Sequence, residues 1–279
     1  MGAYVSMSLM KVPDLSIESA YAMGAICAAK CLLVGTGLPN SILLVLVIVA
    51  SMLAGLVVGA LSSSLTRFAG IPHLLSSILT IGLFHGIKQL VLGVSNLSLG
   101  ALQNPLLSCA FVQKSPELGV LLCITIVLVI IGFLFLKTQL GYAIGVYGNN
   151  PRFFENYRIS SNYIFCMGIM ISNALAGLSG YLVAQSSGFV DTNAELGMAL
   201  FCITALILGK TMVRSKKFIS IMIPCVGVIV YCTLQQLLLK VGFNLKYFTM
   251  IQSIIVLLLL IYTYRKNRSS GQITDNLGV

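Results

Sequence analysis

The chain has 279 residues, of which 58% are hydrophobic and only 9% charged, which excludes an ordinary soluble domain, where about a quarter of residues are charged. Long continuous apolar runs, rather than alternating segments of about ten residues, indicate membrane-spanning helices and exclude a barrel. The net charge of +10 does not call for nucleic acid as a partner, because basic cytoplasmic loops of a membrane protein produce the same excess.

Eight apolar segments follow one another along the chain, and each is predicted to be a helix. They lie at about 20–38, 41–65, 71–93, 118–137, 161–186, 195–209, 218–239 and 247–264. A spanning helix needs about 20 mostly apolar residues. The sequence therefore predicts an all-α, polytopic transmembrane bundle of about eight spans over residues 1–264, followed by a polar cytoplasmic tail at 265–279.

The positions of Lys and Arg orient this predicted bundle. If the segments alternate and the N-terminus is cytoplasmic, twelve of the 17 basic residues lie inside and only Lys114, Lys240 and Lys246 lie outside. Because basic residues concentrate in cytoplasmic loops, this bias predicts cytoplasmic N- and C-termini. Lys30 and Lys88 are the two basic residues left within spans.

Two predicted spans carry small residues at every fourth position. The first set is Ser51, Gly55, Gly59 and Ser63, and the second is Ser172, Ala176, Gly180 and Ala184. Such ridges allow helix backbones to approach closely in lipid, where no hydrophobic force drives helices together. They predict helix packing. Alternatively, the second ridge lines a substrate passage together with Asn173.

Few residues in the sequence could carry chemistry. The seven acidic residues all lie in predicted loops or at predicted span ends, and His73 and His85 share one predicted helix. We therefore expect neither an enzyme nor a metal site. The eight cysteines include no CxxC pair, and we interpret them as small apolar side chains. The expected absence of buried carboxylates also argues against a proton-coupled secondary transporter.

Three ionisable residues fall inside predicted spans, where such residues are functional candidates by default. His85 and Lys88 lie near the predicted outer end of their span, from which a long side chain can reach the interface. Lys30 lies near the middle of its segment. It contacts a substrate or a partner, or it reaches the interface, or it marks a broken helix.

The most informative polar stretch is residues 138–160, TQLGYAIGVYGNNPRFFENYRIS. Asn150 can cap a helix and Pro151 suits its first position, so that Phe153, Phe154 and Tyr157 share one face. The pattern predicts a short amphipathic helix on the cytoplasmic side. This helix either lies on the membrane surface or inserts its aromatic face into a groove on a soluble partner.

At this loop the sequence resembles the inner-membrane permeases of the ABC importer group that serves branched-chain amino acids and simple sugars. The family pattern is T-x-L-G-x-A-x-x-x-x-G-[DN]-N-P, and it is matched by Thr138, Leu140, Gly141, Ala143, Gly148, Asn149, Asn150 and Pro151. The stretches from Val12 to Ala25 and from Ser172 to Asp191 also look like family segments. The chain departs from the family at Gly145, where a basic residue is usual, at Phe154, where a small residue is usual, and at Arg158, where glycine is usual.

The resemblance covers about residues 12–264 and is closest to a little-characterised subgroup of single-permease systems, some associated with aromatic amino acids. It implies a permease subunit in the bacterial inner membrane that imports a small solute, and we expect this solute to be an amino acid. The implied partners are a separate ATPase that holds ATP and Mg²⁺, a periplasmic or lipoprotein solute-binding protein, a second permease copy and the lipid bilayer. No cofactor is expected on this chain, and no nucleic acid is expected as a partner.

The residue patterns and the resemblance together give candidate residues for two roles. The expected ATPase contacts are Gly148, Asn149, Asn150, Pro151, Phe153, Phe154 and Tyr157. The candidate residues of the substrate path are Ser16, Lys30, Ser172, Asn173 and Gln185. The alternatives are an ion-coupled secondary transporter and a membrane scaffold without transport. A third alternative is a truncated or decayed permease copy, because relatives generally carry a further apolar helix before Val12.

Overall fold

The computed structural model describes residues 1–99, 116–193, 195–213 and 222–240, together with the single residues at 250, 253, 254, 257 and 261. The chain divides into two units, Met1–Ala199 and Leu200–Val279, which are described separately. The first unit carries nearly all the residues singled out by the sequence.

Helices make up most of the described chain. In order, the elements are a π-helical segment (Tyr4–Leu9), α1 (Ile17–Val34), α2 (Asn40–Phe68), α3 (His73–Leu92), β1 (Asn96–Ser98), α4 (Pro116–Leu136), α5 (Gln139–Asn149), α6 (Phe153–Asn156), α7 (Ser161–Ser187), β2 (Phe189–Asp191), α8 (Met198–Met212) and α9 (Met222–Lys240). Seven of the eight predicted apolar segments coincide with these helices. The eighth, at about 247–264, lies mostly outside the described residues.

Within the described part of the chain, five helices are long and apolar enough to cross a membrane: α1, α2, α3, α7 and α9. The pair α4 and α5 would form a sixth span, bent by 73°. Helix α8 has only 15 residues, fewer than a full crossing needs. The polytopic helical architecture is thus supported, while the count of about eight spans and the cytoplasmic location of the termini stay predictions.

Two short strands accompany the helices of the predicted all-α bundle. Strands β1 and β2 pair antiparallel, with Leu97 opposite Val190. They lie shortly after the ends of α3 and α7, and their pairing satisfies the backbone groups of these two short connecting segments.

Helix α7 packs closely against α1 and α2 through small residues. A Cβ on Gly24 of α1 would overlap the Gly177 carbonyl of α7, and a Cβ on Gly55 of α2 would overlap the Asn173 carbonyl. The two small-residue ridges are buried along their whole length, which confirms the packing prediction. On α2, large apolar side chains such as Ile42, Val45 and Leu53 are exposed instead, as expected of a lipid-facing surface.

The second unit contains most of α8 and all of α9, which contact each other through the same kind of packing. A Cβ on Gly227 of α9 would overlap the Ala205 carbonyl of α8. Nearby, the rings of Phe201 and Tyr231 meet edge to face with their centroids 4.6 Å apart. Small residues thus set the distance between helices in this unit too.

Candidate functional site

The segment that resembles the family coupling loop begins with a sharp turn between α4 and α5. Thr138 stands in the extended conformation at the N-cap of α5, and its hydroxyl accepts a hydrogen bond from the Gly141 N–H at 3.3 Å. Gly141 lies against the Phe135 carbonyl, where a Cβ would not fit. These two motif residues therefore stabilise the 73° angle between the helices.

The end of α5 is tied to the N-terminal part of the chain. Gly148 lies so close to the Leu9 carbonyl oxygen that a Cβ would overlap it. The next residue, Asn149, accepts a hydrogen bond from Lys11 Nζ at 3.0 Å and donates one to the Gly145 carbonyl at 3.1 Å. Two of the residues expected to contact an ATPase thus also contact the chain's own N-terminal stretch.

The short helix α6 starts at Phe153 and not at Pro151, and Asn150 contributes its backbone carbonyl to the Phe153 N–H at 3.2 Å. Phe153 and Tyr157 are exposed, and their ring centroids are 4.7 Å apart. Phe154 is buried, so the prediction of one face shared by all three rings is wrong for this residue. Adjacent residues of a helix differ in direction by about 100°, so Phe154 turns into the protein while its ring stays in edge contact with that of Phe153, with centroids 5.6 Å apart.

A turn follows α6, and Arg158 adopts a backbone φ of 56° there. This left-handed region favours glycine, because a Cβ crowds the following carbonyl. The Ile159 N–H donates to the Phe154 carbonyl at 3.0 Å and closes the turn. The geometry explains why a glycine is the usual family residue where this chain has Arg158.

A hydrophobic core lies beneath α5 and α6. It joins residues of the N-terminal segment, α5, α6 and α7, namely Val5, Met10, Ile144, Tyr147, Phe154, Ile164, Phe165 and Ile169. Phe154 is the contribution of α6 to this core. The exposed rings of Phe153 and Tyr157 are therefore attached to a buried anchor, which limits their freedom relative to α5.

A buried polar cluster occupies the irregular stretch between the π-helical segment and α1. It consists of Asp14, Ser16, His73, Ser77 and Asn173. Asp14 Oδ1 accepts hydrogen bonds from the Ser16 N–H at 2.9 Å, the Ser16 hydroxyl at 2.6 Å and the Ser77 hydroxyl at 3.1 Å. Asp14 Oδ2 accepts from Asn173 Nδ2 at 2.9 Å, and His73 Nε2 lies 3.5 Å from Oδ1.

The polar cluster lies deep in the bundle. Asn173 is near the centre of the 27-residue helix α7, which is about 40 Å long at 1.5 Å per residue. Asp14 lies in a non-helical stretch before α1, as expected, but it is completely buried, so the expectation that the chain has no buried carboxylates is wrong. Residues 11–16 interrupt the helical path, and their irregular backbone is tolerated at the buried Asp14 and Ser16 because other groups of the bundle satisfy it. The argument against a secondary transporter from missing buried carboxylates therefore no longer holds.

A second buried charge lies on α3. Lys88 is fully buried and forms an ion pair with the carboxylate of Glu195, which is also buried, so the prediction that Lys88 reaches the interface is wrong. The physical reason is that the stretch after β2 folds back into the bundle and brings Glu195 to Lys88. Glu18 Oε1 accepts a hydrogen bond from the Ala199 N–H at 3.0 Å close by. His85 is exposed, one helical turn from Gln89.

The five candidate residues of the substrate path fall into two groups. Ser16, Ser172 and Asn173 lie together, and the Ser172 hydroxyl donates to the Gly2 carbonyl at 2.8 Å. The N-terminal segment therefore covers this polar face of α7. Gln185 is buried and Lys30 is partly exposed, each in the later turns of its helix.

Sequence reasoning missed one interaction beside the site. Arg67, in the last turn of α2, donates a hydrogen bond to the Tyr147 hydroxyl of α5, and its guanidinium lies over the Phe165 ring at 4.2 Å from the centroid. His73 packs edge-on against the same ring at 5.2 Å. The only sequence signal was the basic charge of Arg67, because its partners are about 80 to 100 residues away along the chain.

Comparisons with known proteins agree with this architecture. A family model described as "Branched-chain amino acid transport system / permease component" matches residues 1–261. The chain is 31% identical over 220 residues to the tyrosine transport system permease protein of Clostridioides difficile (strain R20291), covering 79% of this chain and 71% of that protein. It is 25% identical over 249 residues to an uncharacterized protein of Rickettsia prowazekii (strain Madrid E), covering 88% and 85%.

A further relative is the autoinducer 2 import system permease protein LsrC of Escherichia coli (strain SMS-3-5 / SECEC), 27% identical over 210 residues. The match covers 75% of this chain and 58% of LsrC. No solved structure matches the chain. The family match spans both units, and the described part contains several helices suited to crossing a membrane. The chain therefore belongs to the branched-chain amino acid transport system permease family and is a multi-pass membrane permease.

Proposed function

We propose that this chain is the permease subunit of an ATP-driven importer that moves an amino acid across the bacterial inner membrane. ATP and Mg²⁺ are held by a separate ATPase, and this chain makes no covalent chemistry. The bundle has about eight spans with both termini in the cytoplasm, and residues 138–160 lie on that side. The amino acid substrate is supported by the 31% identity to a permease named for tyrosine transport.

The observation that carries this proposal is the exposed aromatic pair Phe153 and Tyr157 beside the GNNP turn. Paired aromatic rings supply much of the binding energy at protein interfaces when a partner pocket excludes water from them. Phe154 anchors the same short helix in the core. Force applied to the exposed pair by an ATPase is therefore delivered to the bundle and not absorbed by a loose loop.

The remaining partners follow from the family. A periplasmic or lipoprotein binding protein delivers the solute, and a second permease copy completes the pathway. The polar face of α7 at Ser172 and Asn173, with Ser16, contributes to that pathway in a conformation in which the N-terminal segment no longer covers it. Lys30 and Gln185 contribute to the pathway nearer the C-terminal ends of α1 and α7.

Co-purification in mild detergent tests the ATPase contact. Wild-type chain is expected to bring a stoichiometric P-loop ATPase, and Phe153→Asp is expected to lose it because a carboxylate cannot enter an apolar groove. Phe189→Asp is the matched control, since Phe189 is an exposed phenylalanine of β2, at the opposite end of α7. Loss of the ATPase from both variants, or from neither, would contradict a specific contact at Phe153.

An ion-coupled secondary transporter is the second candidate, favoured by the buried Asp14 beside His73. Buried carboxylates and histidines are the usual proton carriers of such transporters. Asp14, however, accepts four hydrogen bonds from Ser16, Ser77 and Asn173, as expected of a carboxylate that stabilises a helix interruption. Uptake measured with and without ion gradients separates the two candidates.

A further inference from the structure

Two sets of contacts lead from α5 to the polar cluster. The first runs along the backbone: Gly148 and Asn149 hold Leu9 and Lys11, and Asp14 follows three residues after Lys11. The second runs through side chains, from Tyr147 to Arg67, on to the Phe165 ring and to His73, which lies beside Asp14. Both begin on the segment assigned to the ATPase and end at Asp14.

The backbone conformation of Lys11 depends on its contact with α5. Lys11 has a backbone φ of 56°, an uncommon conformation for a residue with a side chain. Such conformations persist only where surrounding contacts impose them. Here the Lys11 ammonium is held by Asn149, and the neighbouring Val12 N–H donates to the Ser6 carbonyl at 3.0 Å. A displacement of α5 therefore changes the path of the chain at Lys11.

At its other end, this stretch is bonded to the polar face of α7 through Asp14 and Ser16. The N-terminal segment covers the polar face of α7 through the bond between the Ser172 hydroxyl and the Gly2 carbonyl and through the bonds of Asp14 and Ser16 to Asn173. Moving residues 9–16 would break the bonds of Asp14 and Ser16 to Asn173 and uncover Asn173 near the centre of α7.

We propose that residues 9–16 are the transmission element of this permease, and that Lys11 and Tyr147 are positioning residues that make this stretch move with α5. The inference rests on the proposed function, because it assumes that an ATPase displaces α5. Neither residue contacts the solute. Both act by fixing the geometry between the ATPase-facing segment and the break at Asp14.

The test is the number of solute molecules taken up per ATP hydrolysed by the complete importer in proteoliposomes. Lys11→Met and Tyr147→Phe each remove one polar contact and keep most of the side-chain volume. Both variants are expected to retain the ATPase and to hydrolyse ATP, while uptake per ATP falls about tenfold, within the range of coupling between distant sites. Lys240→Met and Tyr142→Phe are the matched controls, since both are exposed and Tyr142 lies on the same helix α5.

The outcomes separate the two proposals. If wild-type protein shows no ATP-driven uptake and binds no ATPase, the proposed function fails. If wild-type protein transports and both variants keep the wild-type ratio of uptake to hydrolysis, the ATPase acts through another route and the transmission role of residues 9–16 is overturned.

Hydrogen exchange gives a second measurement that needs no transport. In the wild-type complex, trapping the ATPase with ATP and vanadate is expected to change amide protection in the peptide that contains residues 9–16. Lys11→Met should abolish this change while leaving the change at α5 in place. Equal changes at residues 9–16 in wild type and variant would also overturn the role of Lys11.

Discussion

Replacement of Asp14 by alanine tests whether a carboxylate holds the helix interruption together. The change removes the acceptor of four hydrogen bonds. The hydroxyls of Ser16 and Ser77 keep other acceptors, because Ser16 also bonds Asn173 Oδ1 at 3.2 Å and Ser77 also bonds the His73 carbonyl at 2.9 Å. The Ser16 N–H and one N–H of Asn173 lose theirs.

Each of the two buried donors without a partner costs about 1–3 kcal/mol, so Asp14→Ala should lower the free energy of unfolding by about 2–6 kcal/mol. Asp14→Asn should cost about half as much, because its amide oxygen still accepts from Ser16. The assay is unfolding of purified protein in mild detergent by titration with a denaturing detergent, followed by circular dichroism.

The matched control is Asp191→Ala. Asp191 is partly exposed and accepts a hydrogen bond from the Asn193 N–H at 2.9 Å in a local turn. Its replacement should cost no more than about 1 kcal/mol. If Asp14→Ala were as mild as Asp191→Ala, the carboxylate would not be the acceptor that stabilises the interruption, and the account of the polar cluster would be refuted.

Three further substitutions test the packing, the buried ion pair and the backbone. Gly55→Ala should lower the free energy of unfolding by about 1–3 kcal/mol in the same assay, because its Cβ would overlap the Asn173 carbonyl. The control Gly82→Ala should be neutral or stabilising, because Gly82 lies in open space on α3. Lys88→Met should lower the free energy of unfolding by about 3–5 kcal/mol, because it leaves the Glu195 carboxylate buried and unpaired. Adding Glu195→Gln should recover much of this loss in a double-mutant cycle. Arg158→Gly should stabilise the turn after α6 by up to about 1–2 kcal/mol, measured as slower amide exchange at Ile159, and a faster exchange would contradict strain at Arg158.

The parts of the fold that depend on local pattern were predictable from the sequence. Helix positions follow from the apolar segments, and the packing of α2 on α7 follows from small residues at every fourth position, since both signals repeat within one helix. The exposure of Phe153 and Tyr157 was also predictable. The inward turn of Phe154 was not, because it depends on the core residues of the N-terminal segment, α5 and α7 that surround its ring.

The contacts within the candidate site depend on distant parts of the chain and carry little sequence signal. Asp14 lies in a loop before an apolar segment, as the sequence predicts, but its burial depends on contacts with distant residues such as Asn173, which is 159 residues away. Lys88 similarly gained a buried partner because the stretch after β2 folds inward. A charged residue beside a predicted span cannot be assigned to surface or interior without the tertiary contacts that satisfy it.

Uptake of labelled tyrosine into proteoliposomes tests the central claim most directly. The vesicles would hold this chain with its co-purified ATPase and binding protein, and ionophores would collapse proton and sodium gradients. We predict that uptake requires ATP on the ATPase side, stops with vanadate and survives the ionophores. Uptake that continues without ATP and disappears with the ion gradients would contradict an ATP-driven permease and would make this chain a secondary transporter.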